Sequence, residues 1–294
     1  MKPGIVRISL DFECGWGYIS DGTWQNRESS GVYRDLRQAL KRFTDRADEL
    51  ELSLCWAVVG AMIESPTQRD FSHLRGQYAK DIGKFLSNAD SLTHDGRDLL
   101  DLVTSMRTRQ IFGTHTYSHM IVSDDDQDEQ VFKQDLEKAI NVNKNLGLSA
   151  TRLVFPRNHF GEFETVRSTG ITHVRMPPFN MAHPTNRPNR LARAVSITTR
   201  PVSAVTEQQH SSGLMLHYAS EFLNWGKRSN TTKRWLQRRR IERTLEQAAE
   251  GSDVHFWLHP FNLTETPGLS DYIDTFLIRI ATLRDQNRLQ VKGF

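Results

Sequence analysis

His115 and His119 stand four residues apart in the segment Gly113-Thr114-His115-Thr116-Tyr117-Ser118-His119. On a helical turn that spacing turns both imidazoles the same way, so that they can bind one metal ion through ring nitrogens. Asp11 and Glu13 are alternate residues in Leu10-Asp11-Phe12-Glu13-Cys14-Gly15. A strand ending there presents both carboxylates on one face, where they repel unless a cation lies between them or one keeps a proton. Spacing alone carries little, because the chain has 11 histidines among 294 residues. His255 and His259 serve as an internal control. They share the four-residue spacing but fall on a predicted strand, where it spans ~13 Å, too far for one metal ion. What singles out His115 and His119 is their position at the end of a predicted strand. Arg157, in Phe155-Pro156-Arg157-Asn158-His159, and His259, in Trp257-Leu258-His259-Pro260, occupy strand ends of the same kind.

The elements that must hold these residues are legible from periodicity. Residues 5–11, 52–59, 110–114, 152–155, 171–175, 214–217 and 254–259 read as strands, about seven in all. Between and after them, helical spacing marks 32–50, 98–107, 129–146, 163–168, 231–249 and 270–284. Gly147 supplies a C-terminal stop to the third of these helices. Alternating strands and helices predict an α/β fold with a mostly parallel sheet, open or closed into a barrel. In such folds ligands bind at the carboxyl ends of the strands, where Asp11, Glu13, His115, His119, Arg157 and His259 fall. Residues 1–294 read as a single domain, and the four prolines of 177–188 mark a long loop within it.

Composition narrows the class. A 37% hydrophobic share is ordinary for a globular chain and excludes whole-chain disorder. No apolar run reaches the ~18–20 residues of a membrane-spanning helix, and residues 1–10 lack the core of a signal peptide, so a cytoplasmic protein is expected. Two cysteines, Cys14 and Cys55, are too few for a disulfide framework. The net charge of +3 is too small to point to nucleic acid but suits an anionic substrate. That charge is uneven at one place, Lys233-Arg234 and Arg238-Arg239-Arg240, within one predicted helix.

Taken in order, these segments resemble the polysaccharide deacetylase family, the NodB-homology or carbohydrate esterase 4 group, and most closely its divergent branch from bacterial O-antigen gene clusters. Asp11 and Glu13 match its opening acidic pair, and His115-Thr116-Tyr117-Ser118-His119 matches its His-Ser/Thr-x-x-His motif in full. Phe155-Pro156-Arg157-Asn158 stands where the family has Arg-x-Pro-Tyr, and Trp257-Leu258-His259 fits the closing motif with Trp in place of Leu. The fourth motif has no clear counterpart, with Glu221 and Trp225 the nearest candidates. The resemblance implies a distorted parallel (β/α) barrel and removal of an N-acetyl group from a sugar in surface-polysaccharide biosynthesis. It also implies one divalent metal held by Glu13, His115 and His119. That donor set suits Zn²⁺ first, with Co²⁺, Ni²⁺ and Fe²⁺ admitted. By the same resemblance Asp11 is the base and Arg157 keeps it ionised. A backbone N–H near Asn158 serves the oxyanion, and His259 protonates the leaving amine. Asn158, His217 and Trp257 are expected to contact the substrate. With no signal peptide read at residues 1–10, the sugar is expected to be a cytoplasmic one linked to a nucleotide or to a lipid diphosphate at a membrane surface, with the basic 233–243 helix as the anion partner.

Two other functions fit the same residues. One is hydrolysis of a different C–N bond on the same metal site, as in allantoinase-like relatives. The other is anion binding without catalysis on a decayed deacetylase fold. The acidic run 124–129 lacks the Gly and Glu of an EF-hand loop and reads as the start of a helix. Alternation turns Cys14 away from the acidic pair, so an unreactive thiol is expected.

Overall fold

The computed structural model describes residues 2–122, 127–179 and 205–294. Ten strands form one sheet: β1 Gly4–Phe12, β2 Cys55–Val58, β3 Ile111–Thr114, β4 Arg152–Val154, β5 His173–Met176, β6 Glu207–Gln209, β7 Met215–Tyr218, β8 Glu221–Phe222, β9 Val254–Leu258 and β10 Leu289–Val291. Nine follow the order β6-β7-β5-β4-β3-β2-β1-β9-β8, and β10 pairs with the part of the β1 edge that β2 leaves open. All pairings are parallel except β6 with β7. The sequence reading of about seven strands is therefore short by three. The additions, β6, β8 and β10, are two or three residues long, too short to show a period.

The sheet curls on itself, and the alternation along β1 shows how. Val6, Ile8, Leu10 and Phe12 pack outward in the large apolar core shared with the helices. Arg7, Ser9 and Asp11 point the other way, into the curl, where they meet side chains from strands far along the order. Arg7 pairs with Glu207 on β6, and Arg175 on β5 pairs with Asp11. Among the described residues a small buried apolar cluster of Cys55, Ala57, Val154 and Phe294 lies on this side. Outside, the long helices Val32–Glu49, Glu129–Asn145, Thr231–Ala249 and Leu269–Asp285 cover the sheet. Their buried residues repeat at helical spacing, as with Leu36, Leu40, Phe43 and Ala47. No helix among the described residues is long and apolar enough to cross a membrane.

Residues 123–126, most of the acidic run, and 180–204, much of the expected loop, lie outside the described residues. The helix after the acidic run begins as expected. Asp128 caps it, its carboxylate accepting from the Val131 N–H at 2.9 Å.

Candidate metal centre and active site

Parallel register brings the carboxyl ends of β1, β2, β3, β4, β5 and β9 level. Asp11 lies beside Ala57, Leu10 beside Leu258, Val58 beside Thr114, Thr114 beside Leu153, and Val154 beside Arg175. Above that line the chain leaves the sheet, and polar side chains gather around a cavity of 190 Å³. Asp11, Glu13, His119, Arg157, Trp257 and His259 line it.

His115 and His119 do face one point, but not by a helical turn. Residues 115–120 form an irregular loop in which Thr116 and His119 both have φ of 62°. A β-branched residue in that region is strained, so the loop must be held from outside. Asp135, fully buried on the Glu129–Asn145 helix, does this. Its carboxylate accepts from the Tyr117 N–H at 2.9 Å, the Ser118 N–H at 3.3 Å and the Ser118 hydroxyl at 2.6 Å. His73 reaches the same carboxylate at 2.9 Å. The loop also accepts from the Gly60 and Ala61 N–H groups, at Thr116 O and Tyr117 O.

At the centre, His115 Nε2 lies 3.0 Å and His119 Nε2 2.9 Å from Glu13 Oε2. One donor atom from each of the three buried residues falls within 4.8 Å of the other two. Zinc with bonds of about 2.0–2.2 Å needs its ligand atoms at such separations. The imidazole tautomer is also set. His115 Nδ1–H donates to the Val154 carbonyl at 2.8 Å, which leaves the Nε2 lone pair for a metal. Chemistry, spacing and orientation all fit a divalent cation. Burial would raise the Glu13 carboxyl, but the neighbouring His259, His119 and His115 outweigh it and hold it well below the usual carboxylate range. Gly17 lies against this carboxylate, and a Cβ there would stand 2.2 Å from Glu13 Oε1.

Asp11 is held differently. Arg175 grips it with both terminal nitrogens, Nη2 at 2.7 Å from Oδ2, and also donates to Ser9 Oγ at 3.0 Å. Burial would raise the Asp11 carboxyl, but Arg175 outweighs it and keeps the group below its ordinary value. The expected partner, Arg157, does not reach Asp11. Its guanidinium donates to Gly17 O at 3.1 Å and to Asp21 at 2.9 Å. Arg157 lies inside a tight turn with φ of 52°, and its side chain lines the cavity. Arg175 was missed, although a signal existed. An arginine inside an otherwise buried strand needs a carboxylate opposite it.

His259 Nε2 lies 3.4 Å from Glu13 Oε1 and 3.8 Å from Asp11 Oδ2, and its Nδ1 lies 3.4 Å from Asn262 Oδ1. Trp257 forms a wall, with the Arg175 guanidinium 4.7 Å from its ring centre and Phe222 stacked at 4.2 Å. Asn158 also lines the cavity, but its backbone N–H closes a turn on Phe155 O at 3.1 Å and so is not available to an oxyanion. His217 is not at the cavity. Buried on β7, it bonds His173 at 2.9 Å, approaches Glu207 at 3.2 Å and packs on Phe294. His255, the other half of the control pair, points into the curl and bonds Ser9 Oγ at 2.8 Å. Cys14 is buried, and that burial pushes its thiol up to about 12, in keeping with an unreactive group.

The chain is similar in structure to a Mycobacterium smegmatis protein provisionally described as a polysaccharide deacetylase. The TM-score is 0.58 at 14% identity, over 99% of this chain and 87% of that one. The chain shares that protein's fold. The same fold extends to a 4-alpha-glucanotransferase from Thermococcus litoralis, with TM-score 0.57 and 11% identity over all of this chain and 40% of that one. A GH57-type branching enzyme from Pyrococcus horikoshii is similar at TM-score 0.53 and 10% identity, over all of this chain and 69% of that one. No family model and no curated protein matches the sequence. Likeness at these identities is one of fold, and the chemistry rests on the residues described above.

Proposed function

We propose that the protein is a metal-dependent amide hydrolase that removes an N-acetyl group from a sugar. The observation that carries this reading is the convergence of His115 and His119 on one Glu13 oxygen, beside a second carboxylate, Asp11, with its own guanidinium. Glu13, His115 and His119 would hold the cation. A cation there, Zn²⁺ by preference, supplies Lewis acidity, polarising an amide carbonyl and lowering the pKa of a water molecule. Asp11, kept ionised by Arg175, accepts a proton at a carboxylate oxygen. His259 stands across the cavity to donate one to the departing nitrogen. Trp257 closes one side and limits water.

The structural relatives include proteins described as acting on polysaccharide and on glucans, which supports a sugar as substrate. Glycosyl transfer is the less suitable chemistry for this site. Two-carboxylate glycoside cleavage needs one carboxyl free to give a proton, whereas Asp11 is held by Arg175 and Glu13 by two imidazole nitrogens. The proposal extends to a carrier-linked sugar of surface-polysaccharide biosynthesis in the cytoplasm. Arg157 does not contact the base, and with Asn158 it lines the cavity where such a substrate would lie. Acetate release tests this reading. It is expected from N-acetylated sugar nucleotides or carrier-linked sugars and to be weak from chitin oligomers. No release from any N-acetylated sugar by metal-loaded protein would contradict it.

A further inference from the structure

A second cavity, of 490 Å³, adjoins the catalytic one and shares Asn158 and Trp257 with it as walls. Its far side is the Thr231–Ala249 helix, which contributes Lys233, Gln237 and Arg240. These positions are i, i+4 and i+7, one face of a helix. The basic run of this helix therefore divides. Arg238 packs over Tyr272 at 4.8 Å and Arg239 over Trp235 at 5.1 Å, both as exposed residues, whereas Arg240 is half-buried and lines the cavity.

The one carboxylate lining the cavity, among the described residues, already has partners. Glu221 is buried, its Oε2 lies 2.5 Å from Arg240 Nε, and its Oε1 accepts from Gln237 at 2.9 Å. This contact holds Arg240 Nε against Glu221, and the two terminal nitrogens of Arg240 make no hydrogen bond to the described residues. Lys233 likewise has no ion-pair partner among the described residues. The other walls are aromatic: Trp225, Phe222 and Trp257, the last two stacked on each other.

We propose that this second cavity is a subsite for a phosphate-bearing group carried by the sugar, bound by Lys233 and by the free fork of Arg240. The proposal rests on the deacetylase reading for what lies in the first cavity, and its own evidence is the shared wall and the charge beyond it. Planar donors on a fixed guanidinium match phosphate oxygens, and a flexible ammonium at the rim adds a second positive charge.

The test compares the methyl glycoside of N-acetylglucosamine, its 1-phosphate and its uridine diphosphate ester, by calorimetric binding and by acetate release. Phosphorylated probes are expected to bind more tightly, and the advantage to shrink with salt. Lys233→Ala is expected to reduce the preference for phosphorylated over neutral probe about tenfold, on the scale of one charge-assisted hydrogen bond. Arg240→Lys keeps a cation beside Glu221 and removes the fork, and should reduce the same preference. Arg239→Ala should leave it unchanged. A prenyl diphosphate sugar in the same assay separates a lipid carrier from a nucleotide, and preference for either supports the subsite. Equal affinity for neutral and phosphorylated probes would overturn the proposal, as would an equal effect of Arg239→Ala. Acetate released equally from both probes removes the subsite and keeps the hydrolase. Phosphate-dependent binding lost in Lys233→Ala, with no acetate from any probe, removes the hydrolase and keeps the subsite.

Discussion

Asp11 and Glu13 are chemically alike and two residues apart, yet they meet different partners. Glu13 faces two imidazole nitrogens, and Asp11 faces a guanidinium and the Ser9 side of the curl. The pair should therefore separate on mutation. Asp11→Asn is expected to keep the metal and to lose turnover by about 10²–10⁴-fold, the usual worth of a general base. Glu13→Gln is expected to lose metal affinity first. Metal content and acetate release measured on both variants check this, and equal metal loss in the two would remove Asp11 as the base. At this scale the reading from residue types reached the acidic pair, both histidines of the central motif and His259. Motif order along the chain points to Arg157, and nothing in that order points to Arg175. The guanidinium on Asp11 is instead chosen across the sheet, by a strand that lies three places away from β1's neighbour β2. Such a contact has no period and no spacing in sequence.

Elements explain why the histidine loop can be irregular and still well aimed. The expected helical turn would have needed no support, whereas the observed loop, with two left-handed residues, leans on Asp135 from the Glu129–Asn145 helix. That helix was legible, and in the structure it buries a face of Val131, Leu136 and Ala139. A carboxylate in the middle of that face was the available sign of a supporting role. The Thr231–Ala249 helix carries a second such case at its contact with β8. Burial outweighs the Arg240 pair and pushes the Glu221 carboxyl up to about 7, from 4.5 when free. Below pH 4.5 the group is protonated in both folded and unfolded chains. As pH rises from there to 7, the unfolded chain releases the proton first, so stability should fall. The loss is about 3 kcal/mol, at 1.36 kcal/mol per unit. Urea denaturation of the protein and of Glu221→Gln at pH 5 and pH 8 checks this. The variant should lose clearly less stability between the two, and an identical loss would show that Glu221 ionises freely in the fold.

At the scale of the whole molecule, the curled sheet brings a polar interior into contact with the candidate site. β1 connects the two, carrying Arg7 and Ser9 below and Asp11 near its carboxyl end, with Glu13 just beyond. The parallel α/β class was legible because seven of the ten strands among the described residues lie in apolar or alternating runs of the sequence. The degree of curl was not, because it depends on the pairing of side chains between distant strands. The same curl sets the two cavities side by side at one edge. The central claim is that Glu13, His115 and His119 hold one cation on which hydrolysis depends, and acetate release during titration of zinc into chelator-treated protein tests it most directly. Release from an N-acetylated sugar should start near zero, rise in proportion to added zinc and stop rising at one equivalent per chain. Full release from the chelator-treated protein, with no response to zinc, would contradict it.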